Sequence, residues 1–257
     1  MSTTADTDRG AIARAAVAAN PHWYHTLELA PGVLTPGHID LRGVAAKVLP
    51  APGALRGARA LDVGTFDGFW AFELERRGAE VVALDLPRVE DAEWPAGKRR
   101  QLEQTAREWN IKLGRGFALA AEALGSQARR IESDVYDLGP ELVGGPLDFV
   151  FVGSILLHLR DPVRALERIR EILKPGGTVT IVEPFSVRDT LCSPRRAAAT
   201  FRGAWSDFTW WIPNLAALRA WIEAAGFEQV RRGGLHHPPA RPEMRQWLAG
   251  FSARRPV

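Results

Sequence analysis

From Ala58 to Pro184 the chain alternates short apolar runs with amphipathic ones, and few architectures accommodate that alternation. "ARALDVG" leads into a helical stretch from Gly68 to Arg77, and "AEVVALD" precedes the polar helix "KRRQLEQTAREWN" and a second helix around "GFALAAEALG". "ARRIESD" follows, then "PLDFVFVG", a helix from Pro162 to Leu173 that closes with "KPGG", and finally "GTVTIVEP". Strands that are apolar at nearly every position need cover on both faces, and interleaved helices provide it. The expectation is an α/β fold built on a doubly wound, mostly parallel sheet.

The flanks of this core read differently. Asp8 to Asn20 predicts a capped, alanine-rich helix that stops at Asn20-Pro21, because proline disfavours helix in the residue before it. "PHWYHTLELAPGVLTPGHIDLRG" reads as a structured loop, "VAAKVLP" as a short helix and "APGALRG" as a linker. Residues 1–57 are therefore expected to form a helix and lid segment, and residues 58–257 the core, with an insertion at 186–213. The insertion carries Arg195, Arg196, Phe201, Trp205, Phe208, Trp210 and Trp211; beyond it "NLAALRAWIEAAGF" predicts a helix stopped by Gly226, then strand "EQVRR" and a Pro-rich tail. With 33 basic residues against 30 acidic ones, the surface permits a nucleic-acid partner without indicating one. The single cysteine, Cys192, excludes an internal disulfide framework and a cysteine metal cluster. "AIARAAVAA" is too short for a membrane span and is broken by Arg14, so a cytoplasmic, non-membrane protein is expected.

Open α/β sheets bind ligands beyond the carboxyl ends of their strands, beside the first strand, and "LDVGTFDG" lies there. Gly64 allows a sharp turn and Gly68 a close helix approach, while Phe66 stands where such loops usually keep a middle glycine. Its ring is expected to pack over the ligand or toward the head segment. Asp85 ends the second strand, where a carboxylate accepts hydrogen bonds from both hydroxyls of a ribose. Phosphate is disfavoured, since Asp67-Gly68-Phe69 replaces the Gly-Lys-Ser/Thr ending of a P-loop and Asp62 and Asp67 add negative charge. A cofactor with a cationic end suits this loop. S-adenosylmethionine (SAM) carries a sulfonium and an ammonium, and Asp62 is placed to hold the ammonium.

"LDVGTFDG", Asp85, "SDVYDL", "FVGSILLHLRDP" and "LKPGGTVTIVEP" occur in the order found in class I SAM-dependent methyltransferases, which the chain resembles from about Ala58 to Arg232. The resemblance implies a Rossmann-like seven-stranded sheet of order 3-2-1-4-5-7-6 with the last strand antiparallel. It also implies that Asp62, Gly64 and Gly68 line the methionine end, Asp85 the ribose, Asp134 with Val135 the adenine, and Gly153 the sulfonium. More narrowly, "GSILLHLRDP" through "EMRQWL" is similar to the tRNA wobble-uridine 5-oxyacetate carboxymethyltransferase family, which uses carboxy-SAM. That family reads the extra carboxylate with a lysine ahead of the core, a tyrosine before the motif histidine and an arginine near the end. Here Leu157 occupies the tyrosine position and Pro21 to Gly43 holds no lysine, while Arg245 matches the arginine. The departures point to ordinary SAM and methyl transfer.

His158 follows the fourth strand, and its ordinary pKa suits proton removal from an acceptor. The alternative is that it only shapes its loop. Glu183 either orients an acceptor hydroxyl or amine or caps neighbouring chain. Trp23, Tyr24 and His25 in the lid, with Trp205, Trp210 and Trp211 in the insertion, are the candidate substrate contacts, and several rings suit an aromatic acceptor. His22, His25 and His38 lack the spacing of a metal site, and no metal is expected. The expected function is methyl transfer from SAM to a small aromatic or polycyclic metabolite. The alternatives are tRNA modification with carboxy-SAM and a non-catalytic SAM-binding protein.

Overall fold

The computed structural model describes residues 3–108, 110–203 and 208–257. The head comprises helix α1 (Thr3–Ala19), a small hairpin of strands β1 (Glu28–Ala30) and β2 (Val33–Leu34), and helix α2 (Arg42–Val48). Next come strand β3 (Arg59–Val63), helix α3 (Phe69–Arg76), strand β4 (Glu80–Asp85), helices α4 (Arg99–Glu108) and α5 (Arg115–Leu124), strand β5 (Arg129–Glu132) and strand β6 (Leu147–Gly153). Helix α6 (Pro162–Ile172) leads to strand β7 (Leu173–Pro184). The insertion folds as helix α7 (Val187–Cys192) and a hairpin of β8 (Ala199–Phe201) with β9 (Trp211–Pro213). Helix α8 (Leu215–Ala224), strand β10 (Glu228–His236) and strand β11 (Leu248–Arg254) complete the chain.

The large sheet has seven strands in the order β10-β11-β7-β6-β3-β4-β5. In core-strand numbering this is 3-2-1-4-5-7-6, and β11 alone runs antiparallel to its neighbours. β11 corrects the Pro-rich reading of the tail: Leu248 to Arg254 pairs residue by residue with Pro184 back to Thr178 and lies inside the sheet. Two further corrections concern length. α1 starts at Thr3 rather than near Asp8, and β7 begins at Leu173, so "KPGG" belongs to the strand rather than to a helix stop. Edge strand β5 reads "RRIE" with only Ile131 buried, and its charges discourage pairing with another chain.

Local chemistry explains the helix starts. Asp161 accepts the Arg164 N–H at 2.9 Å ahead of Pro162, and Asn214 accepts the Ala217 N–H at 2.8 Å, so both termini are capped. Asn214 also donates to the carbonyls of Ser193 and Arg196, which ties the insertion to the start of α8.

Two apolar clusters cover the two faces of the sheet. One gathers Leu166, Ile169 and Ile172 of α6 with Leu218 and Ile222 of α8 against Val150, Val152 and Ile181. The other joins Phe69, Phe72 and Phe117 to Trp23, Leu27, Leu29, Ile39 and Val44 of the head. The head is thus continuous with the core on that face. Among the described residues no helix is long and apolar enough to cross a membrane.

Trp23 is 1% exposed in that second cluster, and its Nε1 donates to the Val17 carbonyl. Trp23→Ala should cost about 3–5 kcal/mol of folding stability, read by urea denaturation. A loss near zero would show that the head contributes little to the core.

Candidate functional site

The carboxyl ends of β3, β4, β6 and β7 lie in register, so residues 64, 85, 153 and 183 share one rim of the sheet. Between β3 and α3 the backbone turns three times through positive φ, at Gly64 (74°), Phe66 (50°) and Gly68 (90°). A bulky side chain rarely adopts that conformation. Phe66 holds it because its N–H donates to Asp85 Oδ2 at 2.9 Å, and its ring meets Tyr24 edge-on at 5.7 Å. A Cβ on Gly68 would lie 2.3 Å from the Phe72 ring and 2.8 Å from Phe117, so that glycine lets α3 and α5 close on the loop. At Gly64 a Cβ would strike the tip of Ile155, and at Gly153 it would strike Phe151 and Trp70.

Four of the loop's amides are already in use. Gly64 and Thr65 N–H both donate to the Leu84 carbonyl, Phe66 to Asp85, and Gly68 to the Thr65 carbonyl. Those four amides are not free to cradle a phosphate.

Its carboxylates carry the electrostatics. Asp62 is fully buried, accepts the Ala71 N–H at 3.1 Å through Oδ2, and has a pKa raised to about 7, chiefly by burial. By hydrogen-bond geometry its Oδ1 and the buried Thr65 Oγ1 have no partner among the described residues, although the Thr65 hydroxyl lies near enough to the carboxyl to offset part of the effect of burial. An unsatisfied buried acceptor is costly, and a cationic or N–H-bearing ligand would relieve it. Asp85 accepts from Phe66 and from Leu86 at 2.8 Å, and burial raises its pKa too. Asp134 caps the turn at Val135–Asp137 by accepting the Tyr136 N–H, while Val135 packs into the core.

Asp67 does not face the ligand side as free charge. Its Oδ2 accepts the N–H groups of Tyr24 (3.0 Å) and His25 (2.8 Å), and its Oδ1 meets His25 Nδ1. This latch joins the head to the loop, and the buried His25 ring stacks on Phe69. Tyr24, with its pKa raised to about 12 mainly by burial and then by Asp67 and Glu183, lies between loop and rim. Trp23 is buried in the head–core cluster. Beside Phe66 and Asp67 a small recess is bounded by His22, Asn110 and Lys112. It shares residues 110–113 with a wider, open groove lined by Pro87 to Glu90.

Across the rim, Glu183 is 1% exposed and its Oε1 accepts the N–H groups of Ile155 (2.7 Å) and Leu156 (3.1 Å). It caps the turn at Leu156–His158, and burial raises its pKa to about 8. On that turn His158 Nδ1 is 3.0 Å from the Phe208 carbonyl, and its ring stacks on Phe208 with centroids 4.5 Å apart. His158 is half-buried, and desolvation lowers its pKa to about 4, below the ordinary value the sequence expectation assumed, so the imidazole is neutral at physiological pH and a weaker base than that expectation required.

Trp210 and Trp211 grip the same turn. Trp210 N–H donates to the Leu157 carbonyl at 2.8 Å, its Nε1 donates to the Glu93 carbonyl, and Trp211 Nε1 donates to the Arg160 carbonyl at 3.0 Å. Trp205 lies outside the described residues. The Phe208 carbonyl and the two amide bonds of the Asp67 latch had no signal in the sequence, because they use main-chain atoms. Among the described residues no group of three His, Cys, Asp or Glu side chains is placed to hold a metal ion.

Comparison with known proteins adds a family and a fold. The family model described as "Methyltransferase domain" matches residues 38–231. The tRNA U34 carboxymethyltransferase of Pseudomonas aeruginosa strain PAO1 is 30% identical over 181 residues, 69% of this chain and 47% of that protein. The chain thus spans about half the length of the curated relatives it matches. Among solved structures, the N-terminal domain of EvdMO1 with SAH bound aligns with a TM-score of 0.58 at 20% identity, covering 96% of this chain and 97% of that one. Burkholderia thailandensis 1,6-didemethyltoxoflavin-N1-methyltransferase aligns with a TM-score of 0.53 at 21% identity, covering 84% of this chain and 78% of that one. These two likenesses concern the fold.

The buried Glu183 gives a pH signature. Its folded pKa of about 8 stands above the ordinary 4.5, so its contribution is most favourable below pH 4.5 and is lost as pH rises toward 8. Glu183→Gln keeps the acceptor oxygen for Ile155 and Leu156 and cannot ionise. Its stability relative to wild type should therefore climb with pH, by about 1.4 kcal/mol per pH unit at most within that window. Chemical denaturation at pH 5 and pH 8 measures it; equal margins at both would contradict the raised pKa.

Proposed function

This chain belongs to the class I SAM-dependent methyltransferases, and on that premise we propose that it transfers a methyl group from SAM to a small aromatic or polycyclic acceptor. The observation that carries the cofactor half is the orphaned, buried Oδ1 of Asp62 beside Thr65 Oγ1. The SAM ammonium supplies the charge and the N–H donors those atoms lack. Asp85 already accepts two amides, and its remaining lone pairs would take the ribose hydroxyls, while Asp134 and Val135 would border the adenine and Gly153 the sulfonium. When bound, SAM supplies an electrophilic methyl group.

The chain's own residues do the rest. With its pKa lowered, His158 would take a proton only as methyl transfer makes a protonated acceptor more acidic, and an acceptor already deprotonated would need only positioning. Glu183 holds the turn that carries His158. Tyr24 and Phe66 on the head side, with Trp210 and Trp211 on the insertion side, would enclose an aromatic acceptor between them. The lid role belongs to this proposal: the head and residues 186–213 are the segments that border the rim from its two sides.

A second reading, tRNA wobble-uridine modification with carboxy-SAM, draws support from the Pseudomonas similarity and from Arg245 ahead of β11. Against it, Leu157 is an apolar side chain only 7% exposed. Leu157 offers a carboxylate no hydrogen bond.

Native mass spectrometry of the purified protein, followed by denaturation to weigh the released ligand, tests both. Release of SAM or its demethylated product supports methyl transfer; release of carboxy-SAM would overturn it in favour of tRNA. Asp85→Ala should weaken SAM binding by about 1.5–3 kcal/mol in calorimetry, and undiminished affinity would remove Asp85 from the ribose site. His158→Ala should slow methyl transfer by about a hundredfold or more with SAM affinity retained. Wild-type turnover in that variant would leave His158 as a loop-shaping residue.

A further inference from the structure

The hairpin that borders the proposed acceptor site also touches the proposed base. A carbonyl oxygen can only accept a hydrogen bond, so the 3.0 Å contact between His158 Nδ1 and the Phe208 carbonyl requires the proton to be on Nδ1. In a neutral imidazole that leaves Nε2 with the lone pair. The tautomer is the one a proton acceptor needs, and the hydrogen bond at one ring nitrogen sets the role of the other.

We propose that Phe208 is a positioning residue for His158: its carbonyl fixes the Nδ1–H tautomer and its stacked ring fixes the orientation, so that docking of the insertion prepares the base. This rests on the reading of His158 as proton acceptor. Three anchors bring Phe208 there. Trp210 binds the Leu157 carbonyl through its N–H and the Glu93 carbonyl through Nε1, and Trp211 binds the Arg160 carbonyl. Glu93 reaches the same place from the loop after β4, since its carboxylate accepts from Tyr136 Oη and from the Arg160 N–H, both at 2.9 Å. From below, Glu183 holds the first amides of the His158 turn. The turn is fixed from the sheet, and the ring on it is fixed from the insertion. Phe208 itself is 48% exposed, more than core packing explains, and its inner contact is the imidazole. Removing the insertion from its dock would leave His158 in place but free to exchange tautomers.

The test is the tautomer itself, read by long-range 1H–15N correlation on protein labelled at histidine nitrogen, with the His158 signals assigned by their loss in His158→Asn. Wild type should show Nδ1 protonated and Nε2 unprotonated at neutral pH. The double variant Phe208→Ala/Trp210→Phe, which removes the stacked ring and one anchor, should shift His158 mainly to the Nε2–H form that an unconstrained imidazole favours. Phe208→Tyr should keep the wild-type pattern, and SAM affinity by calorimetry should stay within about twofold in all three proteins. An Nε2–H tautomer in wild type, or an unchanged tautomer in the double variant, overturns the proposal. If the tautomer responds as stated but His158→Ala turns over at the wild-type rate, the positioning stands and the base assignment alone fails.

Discussion

Buried carboxylates bonded to main-chain amides hold the working rim of this protein together. A carboxylate taken out of water needs donors, and the loops leaving the sheet have amides without partners. Asp85 takes those of Phe66 and Leu86, Asp67 those of Tyr24 and His25, Glu183 those of Ile155 and Leu156, and Asp62 that of Ala71. Each pair connects a strand end or the cofactor loop to a different neighbour, so four separate loops share one arrangement. Asp62 keeps a second oxygen that is buried and without a hydrogen-bond partner among the described residues.

The alternation from Ala58 to Pro184 made the sheet and its helices legible because burial on two faces leaves a plain apolar pattern. The strand order came from resemblance rather than from pattern. β11 was hidden because "LAGFSAR" is short, carries a glycine and follows a proline-rich stretch, all features of a tail. Phe66 was legible as an oddity, and its physical reason is a hydrogen bond to a residue nineteen positions away. The Asp67 latch and the Phe208 carbonyl use main-chain atoms 42 and 50 residues from their side-chain partners, and main-chain atoms are the same in every sequence. Trp23 shows the converse limit. An aromatic in a Pro- and Gly-rich segment looks like a ligand contact, but its burial depends on α1 and the core packing around it.

The head and the insertion meet the rim in different ways. The head is bound by a hydrophobic cluster shared with α3 and α5 and by the carboxylate of Asp67. The hairpin is held by a few hydrogen bonds and leaves Phe201 and Phe208 over 40% exposed. Breaking a shared core costs more than breaking surface hydrogen bonds. The described part of the insertion is the side of the rim that carries the large exposed rings.

The place of β11 in the sheet sets an order of assembly. β10 pairs only with β11, and β11 lies between β10 and β7. A ribosome delivers Glu228–His236 before Leu248–Arg254, so β10 leaves the tunnel with no strand beside it. Until the later segment slides into the gap, β7 presents an unpaired edge from Thr178 to Pro184, most of it apolar. The nascent chain thus passes through a stage with a sticky open border, and a ribosome-stalled intermediate halted between the two strands is the species on which chaperone attention would concentrate.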